Sequence, residues 1–497
     1  MTNFHLSEIR LRPDTYGPIG LSLLAFLVYV AHIHSQGYGG DANLYHAAAR
    51  DSQWFVQPLH FGYVALLDLC FAVFGPIISN LYVLQGLLSA VAGAVSVWLV
   101  AYISRSMVFA ENSGWSLVSA TFFAFSGGIL ITANYGETYM LQITFILGAT
   151  TLLLKRRMLI GGLLLGWSIT FTPLSILLMP ISLTAIATSS QSIQQMIRDI
   201  GTVILGFLVA LALAVITIAI YDTGAVSSWL DHAWGSVFNF GDRGPFNFDF
   251  VMVQSAWFGR GLHVAIPFAL IGFAVFIANR KRTGLLILAA AVVTLVVNLP
   301  VMGRVDDFWR MMMIVNVYGA IFASIGLRFA VKRFGLMNQK TIIATASVLI
   351  VFSVLSILDM PRREDAVAAE IYQVYLDIKT IEKPAVVISL WENVDSAARY
   401  GRNDGFEGLP ELVAYPPILN WMPPPEARAT VAEATTNGTP IYVIIRERRY
   451  DSPLMRLVLG SVDTDFLPLY RSILPKYELH EVGLVGKYHR LYYAEPI

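Results

Sequence analysis

The sequence predicts an all-α polytopic membrane domain of about 11 transmembrane helices, followed by a small C-terminal α/β extracytoplasmic domain. Of its 497 residues, 56% are hydrophobic and only 14% are charged, whereas soluble globular proteins carry about 25% charged residues. Apolar runs of about 20 residues, the length that crosses a bilayer as a helix, recur along the first part of the chain. After residue 359 the composition becomes that of an ordinary globular domain.

Charge and cysteine content narrow the class of protein further. Lys plus Arg and Asp plus Glu both number 34, so the formal net charge is zero, and nucleic acid is not an expected partner. The single cysteine, Cys70, excludes both a disulfide within the chain and a cysteine-based metal site. Membrane lipids are therefore the first expected partners.

Hydropathy gives the positions of the predicted helices. Runs predicted to span the membrane occupy 17–34, 80–103, 116–133, 138–154, 201–221, 262–279, 284–302, 310–330 and 341–358. The run 159–188 carries Thr172-Pro173 in its middle, which predicts two short helices folded into a hairpin. The run 58–75 either spans the membrane or lies at its interface.

The distribution of Lys and Arg orients these helices, because cytoplasmic loops carry an excess of positive charge. The basic clusters at 155–157, 280–282 and 332–333 are therefore predicted to face the cytoplasm. The N-terminus is then cytoplasmic and the C-terminal domain extracytoplasmic, in a plasma (inner) membrane. Both ends of 58–75 fall on the outer side, which favours a juxtamembrane or re-entrant helix over a span.

The change in composition predicts a membrane domain over 1–359 and an α/β domain over 360–497. Short strands are predicted at 385–390, 440–446, 477–483 and 490–496. The last two strands suggest a hairpin with Gly483 to His489 between them, and residues around 394–400 suggest a helix.

The topology gathers polar residues at the outer face. Asp41 lies in the first outer loop, and Glu137, in the sequence ANYGETYMLQ, lies at the outer end of the third span. Two later outer loops contain His232, Asp242, Arg243, Arg260, Arg304, Asp306, Asp307 and Arg310. Ionisable groups at membrane depth indicate function by default, and interfacial ones support that inference less strongly.

Each of these residues also has a purely structural interpretation. Asp41 follows two glycines and is suited to capping a helix that begins at Ala42. Glu137 is suited to the first turn of the following helix, where it would interact favourably with the helix dipole. The arginines are suited to anchoring at the interface, and His60 is suited to packing.

Several stretches, in this order, carry a resemblance to a known superfamily. They are GYGGDANLYHAAA, QPLHFGYVALLDLCFAVFG, ANYGETYMLQITFILG and GGLLLGWSITFTPLSILLMP, over roughly residues 10–190. They resemble the C-type (GT-C) membrane glycosyltransferases, such as protein O-mannosyltransferases and lipid A aminoarabinose transferases. The family pattern is an acidic residue in the first outer loop, a proline-led juxtamembrane helix and a second acidic residue at the next outer turn. Asp41, Pro58 and Glu137 match it, although many relatives have paired acids where Ala42 follows Asp41 here.

The resemblance implies an enzyme that moves a sugar from a polyprenyl-phosphate donor to a hydroxyl acceptor at the outer face, with inversion. The acceptor is a glycan, a lipid or a protein. Asp41 is the implied general base. Glu137 is the second acid, which orients the acceptor or Asp41, or binds a divalent metal ion. No other cofactor is implied.

The candidates for substrate binding follow from topology and residue type. Basic side chains would stabilise the lipid phosphate that leaves, and aromatic rings would stack on sugars, although aromatic residues are common at any membrane interface. The candidates are His60, Arg243, Arg260, Arg304, Arg310, Tyr45 and Trp54.

Two other function classes remain open. One is a polytopic lipid or glycan transporter or flippase, and the other is a non-catalytic assembly scaffold. The hydropathy pattern shows no inverted repeat. Few ionisable residues fall in mid-span, with Asp68 as the exception if 58–75 crosses. Both observations favour the transferase over the transporter.

Overall fold

The structure is a computed structural model. It describes residues 13–33, 41–50, 60–110, 113–221, 265–279, 282–302, 313–335, 376–382, 384–389, 411–414, 425–446, 476–485 and 489–497, with single residues or short groups at 52, 54, 225–227, 229–231, 233, 246, 248, 251–252, 255, 262, 344, 347–348, 351, 373–374 and 474.

Helices dominate the N-terminal part of the described chain. They are α1 Pro13–Val30, α2 Asp41–Arg50, α3 Phe61–Phe74, α4 Leu81–Met107, α5 Ser113–Ala124, α6 Gly127–Thr132, α7 Tyr139–Leu154, α8 Met158–Ser168, a 3₁₀ helix Pro173–Leu178, α9 Pro180–Ser189, α10 Ile193–Tyr221, α11 Ala265–Asn279, α12 Arg282–Met302 and α13 Ile314–Arg333. The C-terminal part contains β1 Val386–Ser389, β2 Glu411–Ala414, α14 Pro425–Thr436, β3 Ile441–Arg446, β4 Tyr477–Val485 and β5 His489–Pro496.

The helices confirm the membrane architecture. Within the described part, α4, α10, α12 and α13 are long and apolar enough to cross a membrane, and six shorter apolar helices accompany them. The number of about 11 spans stays a prediction, and 341–358 lies largely outside the described residues.

Helix α3 has 14 residues, which at about 1.5 Å each fall short of a hydrocarbon core about 30 Å thick. That length fits a helix that does not span.

The predicted span 116–133 is not one helix, which corrects the sequence interpretation. It is divided into α5 and α6 at Ser126, whose backbone is extended (φ −69°, ψ 142°). The hydroxyl of Ser126 bonds the carbonyl of Phe123 at 2.9 Å. Gly127 and Gly128 follow, and glycine stabilises a helix poorly. Hydropathy does not register this break because both halves are apolar.

The interruption predicted inside 159–188 is confirmed. Helix α8 ends at Ser168, Thr172 is extended, and the 3₁₀ helix begins at Pro173. Helices α8 and α9, on either side of the break, both pack against α7. Proline removes an N–H donor and prevents continuation of the α-helix.

Helix α10 shows how the membrane helices pack. Its buried residues are Asp199, Val203, Gly206, Ala210, Ala214 and Ile218, and exposed leucines and isoleucines occupy the rest of its surface. The buried positions recur every three or four residues, which is the period of one helix face. A methyl group on Gly206 would collide with the carbonyl of Leu159 in α8. The two helices therefore approach as closely as small residues permit.

Contacts divide the chain into two units: residues 1–33, 54–67 and 84–360, and residues 34–53, 68–83 and 361–497. The boundary between predicted domains 1–359 and 360–497 stays a prediction.

The second unit contains a five-stranded sheet of order β2-β1-β3-β5-β4. Strands β2, β1 and β3 are parallel, and β5 and β4 continue the sheet antiparallel. The core of this sheet joins Val386, Ile388, Ile441 and Val443 to Val431 of α14.

Four of these strands were predicted, and β2 was missed. The predicted turn from Gly483 to His489 is too long, since β4 continues to Val485 and β5 begins at His489. Gly483 instead lies beside a register shift after Glu481. The helix predicted at 394–400 lies outside the described residues.

Candidate functional site

Glu137 lies in the turn between α6 and α7, and the fold buries it. Glu137 is only 6% exposed, and its neighbours Asn134, Tyr135 and Thr138 are buried as well. Its backbone N–H bonds the carbonyl of Tyr135 at 2.9 Å. Helix α7 begins at Tyr139 with Thr138 as its N-cap. Glu137 therefore precedes the helix, and the alternative that placed it in the first helical turn is wrong.

Two side chains of α4 hold this turn. Ser89 donates to the carbonyl oxygen of Tyr135 at 2.7 Å, and Gln85 donates from Nε2 to the carbonyl oxygen of Gly136 at 3.4 Å. Residues four apart lie on one helix face, so a single polar stripe of α4 contacts the two residues before Glu137. Backbone carbonyls inside a membrane need such donors, because no water satisfies them.

Helix α1 contributes to the same region. Tyr29 donates from its hydroxyl to the carbonyl of Ala124 at 2.8 Å, at the end of α5. Gly93 of α4 lies against both Tyr29 and Ala133, and a methyl group there would come within 2.9 Å of each. Helix α4 therefore packs against both α1 and Ala133, the residue at which the segment leading to Glu137 begins.

Two buried polar residues, Thr138 and Gln142, follow Glu137, and the sequence interpretation missed both. Thr138 is 1% exposed and Gln142 is 0% exposed. In the described part of the chain, the Thr138 hydroxyl and both amide atoms of Gln142 have no hydrogen-bond partner. The available signal was a glutamine inside an otherwise apolar helix start, YMLQITF.

Asp41 begins α2, which runs from Asp41 to Arg50. The helix expected at this point is therefore present. The structure describes the backbone of Asp41 but not its side chain, so both interpretations, helix cap and base, stay predictions.

Tyr45 and His46 are buried one turn further along α2. The ring of His46 meets the ring of Tyr82 edge-on, with centroids 3.9 Å apart. Burial, and then the positive charge of Arg50, lower the pKa of His46 from 6.5 to about 3. His46 is therefore neutral at physiological pH.

His60 and Trp54 make specific contacts. His60 is 8% exposed and donates from Nδ1 to the carbonyl of Phe171. The backbone N–H of Gly62 bonds the carbonyl of Thr170 at 3.1 Å. Both carbonyls lie in the interruption after α8, so His60 helps to satisfy backbone groups that the break leaves free. The ring of Trp54 packs against Tyr221 at 4.5 Å between centroids.

The basic candidates in the later loops fall outside the described residues. They are Arg243, Arg260, Arg304 and Arg310. Among the residues that are described, His, Cys, Asp and Glu form no group of three that could hold a metal ion.

Comparison with solved structures identifies the fold. ArnT from Cupriavidus metallidurans in the apo state superimposes with a TM-score of 0.55 at 11% identity, over 97% of this chain and 98% of that one. The same protein bound to undecaprenyl phosphate gives 0.53 at 12% identity, over 96% and 97%.

A second protein of known structure is also similar to this chain. The oligosaccharyltransferase AglB from Archaeoglobus fulgidus, in complex with an inhibitory peptide and a dolichol-phosphate, gives 0.51 at 11% identity, over 97% of this chain and 74% of that one. Its complex with Zn and sulfate gives 0.50 at 11% identity, over 95% and 72%. No family model and no curated protein matches the sequence.

These likenesses confirm the resemblance at the level of the fold. ArnT and AglB are GT-C glycosyltransferases, and the chain shares their fold along nearly its whole length. The sequence motifs indicated this only for roughly residues 10–190.

Proposed function

We propose that the protein is a membrane glycosyltransferase that transfers a sugar from a polyprenyl-phosphate donor to a hydroxyl acceptor at the outer face of the plasma membrane. The observation that carries this proposal is the buried carboxylate of Glu137, held in a turn between membrane helices of a GT-C fold. Acidic residues at membrane depth are rare and indicate a functional site by default. The undecaprenyl phosphate on ArnT and the dolichol-phosphate on AglB support the class of donor.

The chemistry needs one base and a stabilised leaving group. The Asp41 carboxylate takes the proton of the acceptor hydroxyl. The acceptor oxygen forms a bond to the anomeric carbon, and the bond from that carbon to the phosphate oxygen breaks. The lipid phosphate leaves with the electron pair, so no general acid is needed. Direct displacement inverts the anomeric centre.

Glu137 is proposed as the second acid, which orients the acceptor or Asp41. A carboxylate is also a ligand that divalent cations prefer, so a metal ion at Glu137 is the alternative role. Loss of activity with EDTA and its return with added Zn²⁺ or Mg²⁺ would assign that role.

The remaining candidates are proposed to bind the substrates. Arg243, Arg260, Arg304 and Arg310 would stabilise the charge of the leaving phosphate. Tyr45 and Trp54 would contact the sugar. His60 would also contribute to substrate binding while its Nδ1 donates to the carbonyl of Phe171 in the interruption after α8.

A transfer assay tests the proposal. The purified chain in nanodiscs is incubated with radiolabelled undecaprenyl-phosphate sugars and a panel of glycan, lipid and peptide acceptors. We expect Asp41→Asn and Glu137→Gln to reduce transfer by at least about 100-fold. Asp231→Asn is the matched control, because Asp231 is exposed and lies on the same predicted side. Full transfer by both variants would refute the site assignment, even with the class of enzyme intact.

The interruption after α8 keeps the transporter alternative in view, since discontinuous helices are typical of transporter binding sites. A flippase moves a lipid-linked sugar across the bilayer without cleaving it. Reconstituted vesicles that translocate the labelled donor intact, with no covalent product on any acceptor, would favour the flippase.

A further inference from the structure

Gln142 has an unusual environment for a residue of a membrane helix. It is fully buried, and neither its amide nitrogen nor its amide oxygen has a hydrogen-bond partner in the described part of the chain. Two other polar residues of α7 are paired: Thr144 bonds Ala92 and Met140, and Thr150 bonds Ile146 and Ser182. An amide buried without partners destabilises a fold, so its presence needs a reason other than stability.

Thr138 shares the helix face of Gln142. The two residues are four positions apart, and at about 100° per residue they project within about 40° of each other. The N-cap Thr138 makes no side-chain capping bond, and its hydroxyl also has no partner in the described part. The hydroxyl of Thr151 likewise has no partner among the described residues, but Thr151 lies nine positions from Gln142 and therefore on the opposite face of α7.

This face of α7 looks toward the interruption between α8 and α9. Ala149, seven positions after Gln142, packs with Leu165 of α8 and Ala185 of α9. Phe145, one turn after Gln142, contacts Phe171 in the interruption, with ring centroids 4.8 Å apart. Thr138 and Gln142 therefore occupy the end of this face that is nearest to Glu137.

A second buried amide contacts the interruption from another helix. Asn298 of α12 donates from Nδ2 to the carbonyls of Leu177 and Thr294, at 3.2 and 2.7 Å. Its Oδ1 has no partner in the described part of the chain. Irregular backbone at membrane depth is tolerated where it is buried in protein or lines a hydrated cavity. Amide groups on α7 and α12 that find no partner among the described residues favour a polar ligand at this interruption.

We propose that Thr138 and Gln142 form a subsite for sugar hydroxyl groups, directly beside Glu137. An amide and a hydroxyl each donate and accept hydrogen bonds, and so does a sugar hydroxyl. A lipid tail does neither, and a phosphate dianion only accepts. The hydroxyls belong either to the transferred sugar or to a glycan acceptor. This inference rests on the proposed function and adds two residues that determine sugar specificity.

Two measurements on the full chain in nanodiscs test the subsite. The first is binding of undecaprenyl phosphate alone, of undecaprenyl phosphate carrying glucose, mannose or galactose, and of the methyl glycosides of these sugars. The second is the Tm without ligand. The variants are Gln142→Met, which keeps the unbranched shape, and Thr138→Val. Gln85→Met is the matched control, because Gln85 is equally buried but bonds the carbonyl of Gly136.

The subsite predicts opposite effects for the two glutamines. Gln142→Met should keep or raise the Tm, leave affinity for undecaprenyl phosphate unchanged, and weaken sugar-bearing probes by about tenfold. Gln85→Met should lower the Tm. Weaker binding of the lipid-linked sugars assigns the donor, and weaker binding of the methyl glycosides assigns the acceptor.

Three results overturn the subsite. The first is sugar binding that Gln142→Met leaves unchanged, which would indicate an internal water only. The second is a loss of Tm in Gln142→Met as large as in Gln85→Met, which would indicate a structural residue. The third is a wild-type chain that binds undecaprenyl phosphate but none of the sugar-bearing probes. A wild-type chain that binds neither would refute the proposed function together with the subsite.

Discussion

Ser89 of α4 donates a 2.7 Å hydrogen bond to the carbonyl of Tyr135, two residues before Glu137 and 46 residues away in sequence. This bond fixes the backbone that presents the acid. Ser89→Ala should therefore lower the transfer rate by about 10-fold to 100-fold while changing donor affinity little, because a small misplacement of a reacting group is costly. Single-turnover and binding measurements separate the two. Ser96→Ala, which removes a bond to Thr144 instead, should leave the rate within about threefold of wild type.

The close crossing of α11 and α13 depends on two glycines. A methyl group on Gly272 would collide with the carbonyl of Phe322, and one on Gly326 would collide with the carbonyl of Phe268. Because both neighbours are backbone atoms, either substitution by alanine must push the helices apart. We expect Gly326→Ala to cost about 1–3 kcal/mol, seen as a lower Tm in detergent. Gly201→Ala in α10 is the control, since among the described residues no atom of another element lies within 4 Å of its added methyl. A comparable loss of Tm there would contradict the explanation.

An ion pair joins the connection between α7 and α8 to helix α10. Arg156, at a positive φ of 64°, donates to both carboxylate oxygens of Asp199 at 2.6 and 3.3 Å, and Ser190 bonds the same carboxylate. Asp199 is buried and Arg156 is partly exposed, so Asp199→Asn should cost about 1–2 kcal/mol. Thermal unfolding in detergent measures this. Arg157→Ala, at an exposed neighbouring position, should leave the Tm unchanged.

His46 makes stability depend on pH. Its pKa is lowered from 6.5 in the unfolded chain to about 3 in the fold, so the unfolded state binds the proton more readily. The free energy of unfolding has its full value above pH 6.5. It falls as the pH drops from 6.5 toward 3, because the unfolded chain then takes up a proton at His46 that the folded chain does not. His46→Gln should reduce the loss of Tm between pH 7 and pH 4. An identical pH profile for the variant and the wild type would show that His46 is not buried as a neutral ring.

The predicted orientation can be tested with single cysteines in a Cys70→Ser background. Ser79 and Ala110 are both exposed, and the charge distribution places Ser79 outside and Ala110 inside. A membrane-impermeant thiol reagent applied to intact cells should therefore label Ser79→Cys but not Ala110→Cys. Labelling of Ala110→Cys before permeabilisation would overturn the orientation of the first spans.

Much of the fold was predictable because its signals are local. Apolar runs near 20 residues placed the membrane helices, and Thr172-Pro173 placed the interruption after α8. Short runs rich in β-branched and aromatic residues placed β1, β3, β4 and β5. The sequence also singled out Glu137, because an acidic residue beside an apolar run is a signal that does not depend on tertiary contacts.

Other features depend on neighbours that are distant in sequence. Hydropathy predicted one span over 116–133, but the helix breaks at Ser126, and Gly128 just after the break lies against Met313, the N-cap of α13. A methyl group on Gly128 would come within 2.6 Å of the Met313 sulfur. Nothing near residue 126 in the sequence reports that contact.

The sequence by itself determined that this chain is a polytopic helical membrane protein with a small C-terminal α/β part, and that Asp41 and Glu137 lie close to the ends of apolar runs. The hydrophobic effect acting on apolar runs and the chemistry of single residues determine these features without tertiary contacts. Only the tertiary structure decided that Gln85 and Ser89 bond the turn before Glu137, and that the buried amide of Gln142 has no partner among the described residues. Hydrogen-bond partners inside a membrane come from whichever helix lies alongside, and helix packing brings together residues that the sequence separates.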